Sequence, residues 1–190
     1  MSSGTHNHED HSLAGKVKQH TQVQAQRCYQ CGKCSAGCPL AADMDYPPSM
    51  ILRMLQTGDP VIGDKILRSY TIWVCLSCEM CIQRCPMEVD IPVMMDYLRQ
   101  ESIRQKKVNP KAKNIVSFHR SFLDSIKYTG RLSEILLVVD YKLRSWKLMQ
   151  DVVLMPSMIS KGKLHFIPER IKGVKSISKI FSKVSKEEKK

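Results

Sequence analysis

Apolar residues recur every three or four positions in six stretches of the chain, which is the spacing of amphipathic helices. The first stretch begins at Pro47-Pro48-Ser49 and ends at Gly58, and a second, shorter helix is predicted from Gly63 to Tyr70. No run of alternating apolar and polar residues is long enough for a convincing strand. The pattern therefore predicts an all-α fold.

Three longer helices are predicted after residue 90. Asp90 can cap the first of them, with Pro92 in its first turn. The second begins at Asn109-Pro110 and ends at Gly130, and a third amphipathic stripe continues to Pro156. The apolar positions of these helices are Ile91, Met94, Met95 and Leu98; Ile115, Phe118, Phe122 and Ile126; and Leu132, Ile135, Val139, Leu143, Trp146, Met149 and Val153.

A basic amphipathic helix is predicted near the C-terminus. Six apolar residues alternate there with basic ones, namely Ile171, Val174, Ile177, Ile180, Phe181 and Val184 with Arg170, Lys172, Lys175, Lys179, Lys183 and Lys186. Such a helix suits an acidic protein or an anionic membrane. We rank an acidic partner subunit first, a half-ordered tail second, membrane contact third and nucleic acid last, because no nucleic-acid-binding motif accompanies the charge.

Charge divides the chain into two parts. The 190 residues carry a formal charge of +12, yet residues 1–110 hold 12 basic and 11 acidic side chains, whereas residues 111–190 hold 18 and 7. We therefore expect four segments: a flexible N-terminal tail (1–20), a helical domain that holds all the cysteines (21–108), a helical extension (109–156) and a basic tail (157–190). A metal site built from His6, His8 and His11 in the first segment would lack a scaffold.

Composition limits the cellular setting. The hydrophobic fraction of 43% is sufficient for a packed core, whereas the longest apolar run, Ile135 to Val139, is far shorter than the roughly 20 residues of a transmembrane helix. The N-terminal residues lack the basic and apolar regions of a signal peptide. We expect a cytoplasmic protein, in which disulfides are rare and grouped cysteines indicate metal binding.

All eight cysteines fall into two groups of identical spacing, C-x2-C-x2-C-x3-C-P. The first group is Cys28, Cys31, Cys34 and Cys38, and the second is Cys75, Cys78, Cys81 and Cys85. A [4Fe–4S] cubane needs one thiolate on each of four irons, and three cysteines spaced by two residues let one short loop cover three corners. Backbone N–H groups of such a loop can stabilise the negative charge on the sulfides.

This spacing resembles that of bacterial two-cluster ferredoxins, in which the fourth cysteine ligates the other cluster. The resemblance implies two [4Fe–4S] clusters with crossed ligands. Cluster one would take Cys28, Cys31, Cys34 and Cys85, and cluster two would take Cys75, Cys78, Cys81 and Cys38. Zinc ribbons use paired C-x2-C knuckles and fit three cysteines in one loop poorly.

The two motifs lie about 47 residues apart with predicted helices between them. This arrangement is similar to the α-helical ferredoxin domain in the iron–sulfur subunits of succinate dehydrogenase and fumarate reductase. The sequence lacks the C-x4-C-x2-C spacing of their [2Fe–2S] domain. The segments 28–34 and 44–48 and the cysteine-free helical C-terminus resemble the C subunit of heterodisulfide reductase more closely, over roughly residues 22–155.

The resemblance implies a non-catalytic electron-transfer subunit. Such a subunit relays electrons between an A-like subunit, which carries flavin and iron–sulfur clusters, and a catalytic B-like subunit with CCG domains. This chain has neither a Cys-Cys pair nor a GxGxxG loop, so it shows no CCG domain or dinucleotide site of its own. The alternatives are an iron–sulfur subunit of a succinate or glycerol-3-phosphate dehydrogenase type of complex, an enzyme in its own right, and a non-redox scaffold.

Overall fold

A computed structural model describes residues 12–146, Ser160 and residues 171–187. These residues contain helices, 3₁₀ turns and loops and no strand, so the all-α prediction is confirmed. None of the described helices is both long and apolar enough to cross a membrane. The chain divides into two compact units, Met1–Ala112 and Lys113–Lys190.

The first unit contains seven helices in its described residues. Their bounds are α1 Leu13–Thr21, α2 Lys33–Ala36, α3 Pro48–Gln56, α4 Pro60–Leu67, α5 Thr71–Val74, α6 Met80–Gln83 and α7 Ile91–Arg104. Short 3₁₀ turns occupy Ala25–Arg27, Ala41–Asp43 and Pro110–Ala112. The first turn leads into the first cysteine group, and α5 leads into the second.

Helix α7 is the centre of the first unit, because it packs against α1, α4 and α5. Its Met94, Met95 and Leu98 are fully buried. The predicted cap is present, since the Asp90 carboxylate accepts a hydrogen bond from Val93 N at 3.1 Å. Burying each of these side chains stabilises the fold by about 1.5–3 kcal/mol, so α7 is a rigid support for what surrounds it.

Two elements in this unit differ from the sequence prediction. The predicted flexible tail extends to residue 20, but α1 begins at Leu13 and buries Ala14 and Val17. Helix α4 spans Pro60–Leu67 instead of the predicted Gly63 to Tyr70. It begins earlier because the Asp59 side chain accepts a hydrogen bond from Val61 N at 2.8 Å and caps the helix. Both helices begin at a local cap, which outweighs weak apolar periodicity.

The second unit is built on two antiparallel helices, α8 (Lys113–Thr129) and α9 (Glu134–Ser145), with α10 (Val174–Glu187) packed against α8. Small polar side chains of α8, including Ser121 and Ser125, are buried. Arg144 on α9 bridges Asp124 and Asp140, each at 2.6 Å.

Helix α9 is shorter than predicted. It ends at Ser145, because the following Trp146 adopts a left-handed conformation with φ 58° and stops the helix. The predicted continuation of the stripe through Met149 and Val153 lies outside the described residues. The basic helix predicted at the C-terminus is present as α10, and Ile180 and Val184 are exposed on it.

Candidate iron–sulfur centre

Both cysteine groups follow the same local path. Loop one (residues 28–38) enters α2 and loop two (residues 75–85) enters α6. Left-handed residues occupy the same two motif positions in each loop, Gln30 and Gly32 in the first and Ser77 and Glu79 in the second. Alternating left-handed residues turn successive N–H groups towards one side of a loop, which suits an anionic ligand such as a sulfide-rich cluster.

The two loops are in direct contact. Helix α2 packs against α6. The side chain of Arg84 lies against Gly37, where an added Cβ would be only 2.5 Å from Arg84 Cδ. Gly37 precedes Cys38 and Arg84 precedes Cys85, so this contact brings the last cysteine of each loop towards the other loop.

Cys38 shares a cavity with the first three cysteines of loop two. The cavity measures about 410 Å³, including the solvent at its mouth, and its lining contains Cys38, Cys75, Cys78 and Cys81. The rest of the lining is apolar and consists of Pro39, Leu40, Met44, Pro48, Leu76, Met80, Ile91 and Pro92. Four thiols in an apolar cavity are the donor set that a [4Fe–4S] cluster requires.

Tyr29 follows the first cysteine of loop one, and its pKa depends on the thiols around it. A hydrogen bond with Cys31 raises the pKa of the exposed Tyr29 hydroxyl. Desolvation and the negative charges of Cys31, Cys85 and Cys28 raise the pKa of Tyr29 further.

The thiols respond differently to their surroundings. Burial raises the pKa of Cys34, and burial followed by the charge of Cys75 raises the pKa of Cys81 to about 11. By contrast, the backbone N–H of Lys33, with the Tyr29 hydroxyl, lowers the pKa of the exposed Cys31. The thiols of Cys34 and Cys81 therefore require a positively charged metal core to be held as thiolates.

All eight cysteines are unpaired and free of disulfides. Among the described residues, no three His, Cys, Asp or Glu side chains converge on one point that suits a single metal ion. A cubane places each thiolate on a different iron, so its ligands surround a larger volume than those of one ion. The free thiols and the shared apolar cavity fit such a group.

One side chain from α3 holds the start of loop one. Gln56 Nε2 donates to the carbonyl oxygens of Ala25, at 2.9 Å, and Cys28, at 2.6 Å. These carbonyls belong to the first cysteine of the loop and to the residue three positions before it. We call this contact the loop-one clamp.

A side chain from α7 holds loop two in the same way. Arg99 donates from Nε to the carbonyl of Ile72 and from a terminal nitrogen to the carbonyl of Cys75. These two residues occupy the same positions relative to the first cysteine as in loop one, and we call the contact the loop-two clamp. Arg99 also forms an ion pair with Asp96 at 2.7 Å.

Asp45 connects the two loops. It follows loop one in the sequence, and its carboxylate accepts hydrogen bonds from Tyr70 N at 2.7 Å and Thr71 N at 2.8 Å, at the start of α5. Partial burial would raise the pKa of Asp45, but the hydrogen bonds from Thr71, Tyr70 and Tyr46 outweigh it and lower the pKa. Helix α5 ends one residue before Cys75, so Asp45 fixes where loop two begins.

Sequence reasoning finds the cysteines but not Gln56 or Arg99, which belong to no motif. Asp45 lies in the segment 44–48, which carries the family resemblance but no predicted role. Arg84 is exposed, and its side chain also lies against Gly37 of loop one. The equal offset of the clamped carbonyls from each cysteine emerges only from the contacts themselves.

Residues 24–89 match the family model of the 4Fe–4S dicluster domain. This match covers both cysteine motifs, and together with the cavity and the free thiols it defines a domain that binds two [4Fe–4S] clusters.

Similarity to curated proteins narrows the class. The chain is 38% identical over 69 residues to the iron–sulfur C subunit of the CoB–CoM heterodisulfide reductase of Methanopyrus kandleri, an alignment that covers 36% of this chain and 34% of that protein. It is 29% identical over 109 residues to the C subunit of the H2:CoB–CoM heterodisulfide,ferredoxin reductase of Methanothermobacter marburgensis, covering 57% of each. A third relative is the C subunit of the ferredoxin:CoB–CoM heterodisulfide reductase of Methanosarcina acetivorans, with 37% identity over 79 residues, 42% of this chain and 30% of that protein.

The chain thus spans between about a third and just over half the length of these relatives. Within that span it is similar to the C subunits of heterodisulfide reductases, and the resemblance inferred from the cysteine loops is confirmed.

Proposed function

We propose that the chain is an electron-transfer subunit of a heterodisulfide reductase-like complex in the cytoplasm. It relays electrons between an A-like subunit with flavin and iron–sulfur clusters and a B-like subunit with CCG domains. The observation that supports this most is the cavity in which Cys38 meets Cys75, Cys78 and Cys81. Interlocked loops of this kind keep two redox centres close together, as a relay requires.

The ligand sets follow the crossed pattern. Cluster one is held by Cys28, Cys31, Cys34 and Cys85, and cluster two by Cys75, Cys78, Cys81 and Cys38. The shared cavity supports the second set, and the contact of Arg84, the neighbour of Cys85, with Gly37 of loop one supports the first.

The protein residues position and shield the clusters. When bound, each [4Fe–4S] cluster accepts and releases one electron at a time. Leu40, Met44 and Ile91 line the loop-two cavity, and these apolar side chains would shield a bound cluster from water. Cys31 and Cys78 are the exposed members of their sets, so the bound clusters would be most accessible to solvent and to a partner at these two ligands.

Two double variants test the ligand sets. Crossed ligands predict that Cys38→Ala with Cys81→Ala removes one cluster and leaves about four irons, because both residues serve cluster two. Under the same crossed arrangement, Cys34→Ala with Cys38→Ala removes one ligand from each cluster and damages both. If each cluster took its ligands from a single loop, the first double variant would damage both clusters and the second only one. Iron and acid-labile sulfide analysis of the anaerobically purified proteins decides between the two arrangements.

The relay itself is tested in the assembled complex. Stopped-flow reduction of the acceptor should be lost with Cys28→Ala and with Cys75→Ala, because each removes one ligand of one cluster. Reduction at the normal rate in both variants would contradict the proposal. A reversible EPR redox titration of the normal complex excludes a scaffold whose clusters only hold the fold.

Helix α10 is the surface that we assign to an acidic partner subunit. Lys175, Lys179 and Lys183 are exposed beside the exposed Ile180 and Val184. A surface of exposed lysines beside exposed apolar side chains is complementary to a partner surface that has an apolar centre bordered by carboxylates.

Charge reversal at Lys179 and Lys183 should make the purified complex dissociate at lower salt, with Lys65→Glu in the first unit as the control. Sedimentation with anionic phosphatidylglycerol vesicles, together with an unchanged complex in the charge-reversed variant, would indicate a membrane instead.

A further inference from the structure

The two clamps use donors of different charge at equivalent positions. Gln56 and Arg99 each bind the carbonyl of the first cysteine and that of the residue three positions earlier. Either side chain supplies the hydrogen bonds that the two backbone carbonyl oxygens accept. Only Arg99 brings a permanent positive charge, because a guanidinium stays protonated in proteins.

The charge on Arg99 is poorly screened. Only 17% of its side chain is exposed, and its guanidinium is bonded to the backbone of Cys75. Its counter-charge, Asp96, is 53% exposed and therefore better solvated. Because surface charges are screened more strongly than buried ones, Asp96 cancels the field of Arg99 only in part.

A cluster gains one negative charge when it is reduced, so a nearby fixed positive charge favours the reduced form. We propose that Arg99 is a positioning residue that holds loop two and raises the reduction potential of the cluster bound there. Gln56 performs only the holding role at loop one. This inference rests on the proposed function, because it needs a redox-active cluster held by Cys75, a condition that both the crossed and the single-loop ligand sets meet.

The first experiment replaces the charged clamp with the neutral one. In Arg99→Gln the amide can still donate to the backbone but carries no charge. An EPR-monitored redox titration of the anaerobic, cluster-loaded protein should show the midpoint potential of one cluster shifted to a lower value. The other midpoint should stay in place, and iron content should match that of the unmodified protein.

A second variant acts on the same charge without touching the clamp. Asp96→Asn removes a half-exposed carboxylate that partly neutralises Arg99. The same midpoint should move upwards, opposite to the effect of Arg99→Gln. Arg99→Lys keeps the charge but loses the forked donors. Its loop-two midpoint potential should therefore lie closer to that of the unmodified protein than the midpoint of Arg99→Gln does, while cluster two becomes more labile to chelators.

A shift of the midpoint reduction potential must be distinguished from a loss of structure around the cluster. Gln56→Ala removes the loop-one clamp without changing charge, so it should increase iron loss to a chelator and leave the loop-two midpoint unchanged. Unchanged midpoints in both Arg99→Gln and Asp96→Asn, with iron retained, would overturn the inference and leave the proposed relay intact. A loaded protein with no reducible cluster would overturn the relay itself.

Discussion

Loop one and loop two share one spacing and one backbone path, yet each is supported by different chemistry. The left-handed position before α2 is Gly32, whereas the equivalent position before α6 is Glu79. The clamp is neutral Gln56 in one loop and cationic Arg99 in the other. The motif therefore dictates how the thiols are presented, while residues outside it make the two sites unequal.

The residue after the first cysteine differs between the loops as well. Tyr29 is 59% exposed, and its hydroxyl lowers the pKa of the Cys31 thiol. Leu76 occupies the matching position in loop two and offers no hydrogen bond, although it is 70% exposed. An internal repeat that keeps its ligands but varies its neighbours can hold two similar clusters at different potentials.

The largest effect is expected where the two loops are tied together. Asp45→Ala removes the acceptor for the N–H groups of Tyr70 and Thr71, which sets the start of loop two. We expect a loss of about 2 kcal/mol, and a melting temperature about 8 °C lower for a unit of this size. Differential scanning calorimetry of the anaerobic protein measures the shift.

Asp43→Ala is the matched control, since it changes an exposed carboxylate in the same segment. Its effect should stay within about 0.5 kcal/mol. Equal shifts for both variants would show that Asp45 does not tie the loops.

These ties also show what the sequence could and could not reveal. The cysteine spacing and the caps at Asp59 and Asp90 act over a few residues, so the sequence contains the information needed to predict them. Apolar periodicity alone does not reveal the cap at Asp59. Asp45, Gln56 and Arg99 act across 24 to 31 positions. Such contacts depend on how the helices pack, and no local pattern encodes them. Helix α1 escapes prediction because its sequence is largely polar.

Smaller effects on stability are expected at the left-handed position before each short helix, and their signs differ between the two loops. Gly32→Ala should destabilise the protein by about 1 kcal/mol, because an alanine pays a conformational penalty at φ 75° although no atom obstructs its Cβ. Glu79→Gly should stabilise it by up to about 1 kcal/mol, since a side chain at φ 62° is strained. Thermal unfolding of both variants measures the difference.

Gly58→Ala separates backbone strain from effects on the cluster. Gly58 also has a positive φ, 66°, and an unobstructed Cβ position, but it lies outside both loops. It should cost as much stability as Gly32→Ala without increasing iron loss. Iron loss that is equal in the two alanine variants would mean that the loop conformation does not matter for holding the cluster.

The smallest effect concerns pH and sharpens the role assigned to Asp45. Its pKa is lowered from the ordinary 3.8, because hydrogen bonds to the ionised carboxylate outweigh its partial burial. A lowered carboxyl pKa contributes stability that is complete above the unfolded-state value and is lost only as pH falls through the folded-state value. The difference in melting temperature between the unmodified protein and Asp45→Asn should therefore stay constant from pH 8 to about 5. A difference that grows as the pH falls from 8 to 5 would mean that the folded-state pKa is raised, so that burial, and not the bonds to Tyr70 and Thr71, governs this carboxylate.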